Sequence, residues 1–286
     1  MNILVTGATG FTGSYAVPQL LAAGHQVQCF VRTTSDVSKL PTDKVTLAYG
    51  DLGDVDSLSQ ALEDKDALVN IASLGFGHAG GIVTAMQKAN VQRAIFVSTT
   101  AIFTKLNAPS KKVRMAAEET IQNSGIDYTI LRPTMIYGSS HDRNICRLIN
   151  YLKRFPILPI FGTGEYLLQP IFVGDVAGAI VQALMSPLAI KKSYNISGKH
   201  AHSYNQIVDI ISQQLDKRII KWHVSDKLIV GILKQTEKWI TLPIKAEQIE
   251  RLNEDKSFDH SDAEEDFEFS PKPFSAGITI QLEAMR

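Results

Sequence analysis

The chain has 286 residues, a formal net charge of zero and 44% hydrophobic residues. That length can bury a large core, and the balanced charge leaves no electrostatic footprint for nucleic acid. The two cysteines, Cys29 and Cys146, lie far apart in apolar surroundings and read as buried free thiols of a reducing compartment, not as a disulfide or a metal pair. No signal peptide precedes the first apolar run, and no run nears the ~18 apolar residues that span a bilayer, so a cytoplasmic protein with no integral membrane segment is expected.

Ile3 to Val5 is a short strand that stops at glycine. Gly7, Gly10 and Gly13 follow at a spacing of three, and a helical pattern runs from Tyr15 to Ala23. A strand, a glycine turn and a helix in that order form a phosphate cradle. Gly7 allows the sharp turn, Gly10 lets a diphosphate approach the backbone, and Gly13 lets the helix pack on the strand. Strands are expected at Val27–Val31, Val45–Tyr49, Ala67–Ile71, Ala94–Val97 and Tyr128–Leu131. Helices fall between them at Val55–Leu62, around Met86 and at Met115–Asn123. This alternation predicts a doubly wound parallel α/β sheet, a Rossmann fold, covered on both faces. After Pro133 the rhythm breaks. Helices are expected at Asn144–Lys153, Asp175–Leu184 and Tyr204–Leu215, a strand at Tyr194–Ile196, and a Pro/Gly-rich stretch at Phe155–Gly164. The expected organisation is a nucleotide-binding domain over 1–138, with 168–197 returning to it. A smaller C-terminal substrate lobe takes 139–167 and 198–286. Leu228–Ile244 is apolar with lysines interspersed and reads as a helix on that lobe in preference to a membrane-surface segment.

These motifs resemble the extended and atypical short-chain dehydrogenase/reductase superfamily, which includes the NAD-dependent epimerase/dehydratases. The segment GATGFTG from Gly7 to Gly13 is similar to its glycine fingerprint and implies cofactor contacts from Gly7, Thr9, Gly10, Phe11, Thr12 and Gly13. Gly50, Asp51 and Leu52 match the element that meets adenine. Ala72 and Ser73 follow the fourth strand, where the family lines the pyrophosphate and ribose. Ser98, Thr99 and Thr100 follow the fifth, where it keeps a catalytic Ser or Thr. LRPTMIYG, from Leu131 to Gly138, resembles the turn beside the nicotinamide and implies Pro133 and Ile136 there. PIFVGDVA, from Pro170 to Ala177, and the stretch from Arg251 to Gly277 resemble later family segments, the latter a cap of sugar-nucleotide enzymes.

In this fold the end of the second strand reads the adenosine ribose. Arg32 stands there in place of a carboxylate, and a guanidinium forks onto phosphate. NADP is therefore the expected cofactor, ahead of NAD. Asp36, four residues on, is an alternative ribose ligand.

The resemblance also implies a Tyr-xxx-Lys pair on the helix after the fifth strand. Registered from Ser124 to Tyr128, the chain has Ser110 at the tyrosine position and Arg114 at the lysine position, and no tyrosine from Ala101 to Ile126. Arg114 is expected to hold ribose hydroxyls. Thr99, Thr100 and Tyr137 are the catalytic candidates, with Lys111 and Lys112 as further proton donors. The expected function is an atypical NAD(P)-dependent oxidoreductase or epimerase/dehydratase-like protein. Its partner would be a small-molecule substrate, a sugar nucleotide or another carbonyl or hydroxyl metabolite. The alternative is a non-catalytic NADP(H)-binding redox sensor or assembly protein. A homodimer fits either.

The seven histidines show no metal spacing. His141 reads as a solvated loop residue. His78 lies in a glycine-rich loop, which is expected near the pyrophosphate. Lys153 and Arg154 read as a helix end or a contact for a substrate phosphate. Trp222 and Trp239 read as packing of the second lobe, Glu118 and Glu119 as the outer face of a helix, and Asp262–Glu268 as a solvated helical surface.

Overall fold

The computed structural model describes residues 1–105, 109–142, 144–225 and 254–285. Leu228–Ile244, Trp239 and Arg251–Asn253 lie outside them. The chain divides into two compact units: Met1–Ile136, Ile171–Ser197 and Asp259–Pro271 form the first, and Tyr137–Pro170, Gly198–Phe258 and Lys272–Arg286 the second.

The first unit is built on a seven-stranded sheet. Six of its strands are β1 (Asn2–Thr6), β2 (Gln26–Val31), β3 (Thr46–Tyr49), β4 (Ala67–Asn70), β5 (Arg93–Val97) and β6 (Asp127–Pro133). The spatial order is strand Lys192–Ile196, then β6, β5, β4, β1, β2, β3, and every pairing is parallel. The chain moves outward from β1 to β3, then returns to β1's other side at β4. The reversal leaves a crevice at the carboxyl ends of β1 and β4, where ligands enter open α/β sheets.

Side-chain alternation along each strand divides the core. Ile3 and Val5 of β1 point to one face, where they meet Ala16, Val17 and Leu20 of α1 (Gly13–Ala22) and Val176 and Ile180 of α6 (Val173–Met185). Leu4 points to the other face, with Leu58 and Leu62 of α2 (Val55–Leu62), Ile82 and Met86 of α3 (Ala79–Lys88) and Ala117 and Ile121 of α4 (Pro109–Gln122). Asp54 caps α2, accepting from the N–H groups of Asp56 and Ser57 at 3.1 and 3.3 Å. Cys29 is buried, and burial pushes its thiol up to about 11.

Several sequence expectations change. Asp259–Pro271, expected in the second lobe, belongs to the first unit. Its helix Ser261–Phe267 is not simply a solvated surface: Ala263 and Phe267 sit in the sheet core. Its Asp266 accepts from the Tyr194 hydroxyl at 2.5 Å and from Lys192 Nζ at 2.7 Å. Glu118 is buried, not on an outer face.

The second unit contains α5 (Ile145–Arg154), α7 (Tyr204–Gln214) and helix Phe274–Ala284. It also holds a two-stranded parallel ribbon, Ile157–Phe161 against Ile220–Val224, where the sequence promised only a Pro/Gly-rich stretch. Ser203 and Gln206 form a reciprocal capping box at the start of α7. Trp222, expected to pack this unit, is 63% exposed.

Candidate functional site

β1 ends at Thr6, and the chain turns through Gly7 with φ of +71°, a conformation that favours glycine. A Cβ at Gly7 would stand 2.6 Å from the Ala72 nitrogen, and one at Gly13 would stand 2.2 Å from the Gly7 carbonyl oxygen. Gly7 and Gly13 therefore hold the turn against β4 and under α1. Gly10 differs: a Cβ there meets only the Gly7 carbonyl oxygen, at 3.2 Å, and Gly10 lines an open cavity.

That cavity is about 290 Å³ and lies wholly within the first unit. It gathers the ends of four neighbouring strands: Gly7, Thr9 and Gly10 after β1, Arg32 after β2, Asp51 and Leu52 after β3, and Ala72 after β4. Each of these seven was expected from the sequence. Ser35, Phe76 and His78 line the cavity as well. Ser35 Oγ accepts from the Arg32 N–H at 3.2 Å and its own N–H returns to the Arg32 carbonyl at 2.9 Å. This turn fixes the root of the arginine side chain at the cavity edge. Phe76 is 69% exposed, on the loop after β4, and offers an aromatic face to a base. Asp51 Oδ1 accepts from the Gly53 N–H at 2.8 Å, which orients the carboxylate.

Other expected residues are placed differently. Phe11, Thr12, Gly13, Ser73, Ser98, Arg114, Pro133 and Ile136 do not line this cavity. Ser98 Oγ is committed to Glu118, donating at 2.5 Å, and Glu118 also takes the Arg132 guanidinium at 2.6 Å. Arg114 lays its guanidinium on the loop after β4, 3.3 Å from where a Gly75 Cβ would stand. Asp36 turns back onto the Ser38 N–H at 3.0 Å, and its hydrogen bonds with Ser38 hold its carboxyl below the usual value.

Four of the proton-transfer candidates take part in structural hydrogen bonds. Thr99 Oγ1 accepts from the Ala101 N–H at 3.2 Å, and Thr100 Oγ1 donates to the Pro133 carbonyl at 3.4 Å. Lys111 Nζ donates to the Thr104 carbonyl at 2.6 Å. Tyr137 is 1% exposed, and its hydroxyl donates to the Phe274 carbonyl at 3.3 Å. A Cβ at Gly277 would stand 2.0 Å from that hydroxyl oxygen, so Tyr137 packs under helix Phe274–Ala284 and its burial removes it as an exposed proton donor. Ser110 is exposed.

A glycine turn backed by a helix N-terminus, at the crevice of a doubly wound sheet, has the donors that a dinucleotide diphosphate requires. The glycines fit that group sterically, because Gly7 and Gly10 bring bare backbone to the cavity and a Cβ at either would crowd backbone atoms. Residues 7–150 match the family described as NAD(P)H-binding. The chain belongs to that NAD(P)H-binding family. It is a member of the short-chain dehydrogenase/reductase superfamily, and residues 83–221 match the 3-beta hydroxysteroid dehydrogenase/isomerase family.

Among curated relatives of this NAD(P)H-binding chain is the NADH dehydrogenase [ubiquinone] 1 alpha subcomplex subunit 9 of Arabidopsis thaliana mitochondria. It is 28% identical over 233 residues, which is 72% of this chain and 56% of the relative, so the chain spans little over half of that protein's length. The photosystem II assembly factor Ycf39 of Trieres chinensis is 24% identical over 74% of this chain and 69% of its own. The solved UDP-glucuronic acid 4-epimerase of Bacillus cereus, crystallised with NAD, superposes with a TM-score of 0.79 over 100% of this chain and 98% of its own at 19% identity, which shows a shared fold.

Proposed function

We propose that this chain is an NADP(H)-binding protein that acts through cofactor occupancy, as a redox-responsive sensor or an assembly protein. The observation that carries this reading is the state of the proton-transfer positions. Ser110 and Arg114 stand where the family keeps Tyr and Lys, and Thr100 and Tyr137 hold their hydroxyls in structural bonds. An arginine stays protonated in water and exchanges no proton near neutrality, and a serine hydroxyl is a poor acid there. Two relatives are named as a subunit of an NADH dehydrogenase subcomplex and as an assembly factor, which supports a role inside a larger assembly. Arg32 at the cavity edge supports NADP over NAD, since its fork suits a 2′-phosphate. When bound, the cofactor would supply a hydride-accepting or hydride-donating ring. The chain's own residues would cradle the diphosphate at Gly7–Gly10 and meet the adenosine end at Arg32 and Asp51.

The second reading is an atypical oxidoreductase or epimerase-like enzyme on a sugar nucleotide or other carbonyl metabolite. Thr99 favours it, because its oxygen accepts from Ala101 and, among the described residues, its O–H donates to no backbone carbonyl. Calorimetric titration with the oxidised and reduced forms of NADP and NAD, followed by NADPH oxidation over 4-keto sugar nucleotides, quinones and aldehydes, separates the two. Tight NADPH binding with no oxidation across the panel supports occupancy. Turnover that disappears in Thr99→Val overturns it in favour of the enzyme.

A further inference from the structure

We propose that the second unit carries a docking face for an anionic phospholipid surface, formed by the parallel ribbon and the cationic segments where its strands begin. In the ribbon Ile157 stands opposite Ile220, and Pro159 opposite Trp222. Opposed residues share a face, and faces alternate along a strand. Leu158 and Ile160 take the inner face, 6% and 1% exposed. Ile157, Ile220 and Trp222 take the outer face, 46%, 58% and 63% exposed, and Phe155 just before the ribbon is 51% exposed. Three large apolar side chains thus stand exposed on one face of the ribbon, with Phe155 exposed just before it, which marks an interaction surface more than a tolerated scatter.

The charges at its edge decide the occupant. Lys153 and Arg154 end α5, and Lys217 and Arg218 lead into the second ribbon strand. The two segments lie side by side: the Lys217 ammonium donates to the Lys153 carbonyl, and the Ile220 N–H donates to the Pro156 carbonyl at 2.8 Å. Among the described residues, none of these four cations enters an ion pair. Lys221, on the inner register, is by contrast neutralised by Asp209 at 2.7 Å. Exposed Trp, Phe and Ile beside unpaired Lys and Arg is the composition of a membrane-interface surface. The rings and aliphatic chains enter the headgroup boundary while the cations meet lipid phosphates. A second copy seated on this face would bring its own four cations to the same contact. No described helix is long and apolar enough to cross a membrane.

The test uses the full chain with vesicles of phosphatidylcholine alone and of phosphatidylcholine with phosphatidylglycerol. Co-sedimentation is read together with Trp222 fluorescence in a Trp239→Phe background. The expected result is binding to the anionic vesicles, weakened by salt, with a blue shift of Trp222 emission. Arg154→Glu with Arg218→Glu should weaken it by about tenfold or more, and Trp222→Ser should also weaken it, while NADPH affinity and the melting temperature stay unchanged. Equal partition onto neutral vesicles overturns the proposal, as does unchanged binding after charge reversal. A Trp222 already shielded from acrylamide in the free protein overturns it as well, because the face is then covered by protein. So does a dimer that forms in solution and is lost in Trp222→Ser.

Discussion

Arg32 and His25 are placed by opposite physics. Arg32 is exposed at the cavity edge, rooted by the Ser35 turn. A charge-assisted bond to phosphate contributes about 1.5–3 kcal/mol, so Arg32→Ala is expected to weaken NADPH by about tenfold or more and NADH far less. Competition titrations with both coenzymes check this, and equal losses would remove phosphate recognition from Arg32. His25 is 8% exposed, and among the described residues its Nε2 has no hydrogen-bond partner. Desolvation lowers its pKa below the ordinary 6.5, with a further push from the N-terminal charge. Since the unfolded chain then binds the proton more tightly, stability contributed by neutral His25 is present above pH 6.5. It falls as pH drops through 6.5 toward the folded value. His25→Leu should therefore show a smaller loss of melting temperature between about pH 7.5 and pH 5.5 than the parent. At this scale the sequence anticipated the positions of Arg32 and Asp51, because the strand rhythm puts both at strand ends, where they line the cavity. It hid Phe76 and Ser35, which lie in loops with no periodic signal, and showed His78 only through the glycines around it.

At the scale of the element, the glycine turn separates folding from binding. A Cβ at Gly13 would collide with backbone at 2.2 Å, and one at Gly10 would approach only a carbonyl oxygen at 3.2 Å. Gly13→Val should fail to fold or melt far earlier. Gly10→Val should still fold, with a lowered melting temperature because its Cβ crowds the Gly7 carbonyl oxygen, while losing coenzyme binding by calorimetry. Retained binding in Gly10→Val would displace the diphosphate from this turn. A second device joins α4 to β5 and β6: Glu118, with its side chain 5% exposed, holds Arg132 and Ser98. Glu118→Ala leaves the Arg132 charge half-enclosed without its partner, and about 3 kcal/mol of stability should be lost in urea unfolding; a loss under about 1 kcal/mol would mean that solvent reaches the pair. The parallel strands were legible as apolar runs between helical spans. The ribbon was not, because Pro159 interrupts its first strand and the partner strand lies far along the chain. The helix Ser261–Phe267 was misjudged because only two of its seven residues are buried, and acidic side chains surround them.

At the scale of the molecule, every residue lining the cavity belongs to the first unit. Coenzyme that binds the folded state alone stabilises it by about 2.7 kcal/mol at a hundred times Kd. That energy enters through β1, β2, β3 and β4, whose ends form the cavity. The unit spans separated stretches of sequence, including Ile171–Ser197 and Asp259–Pro271, so its stabilisation should reach the strand Lys192–Ile196 and helix Ser261–Phe267 through the shared core. Hydrogen exchange with and without NADPH tests this. Protection should rise in the first unit's strands and in both returning segments, with α5, α7 and helix Phe274–Ala284 changing least. If protection rises equally in those three helices, binding energy is delivered to the second unit as well.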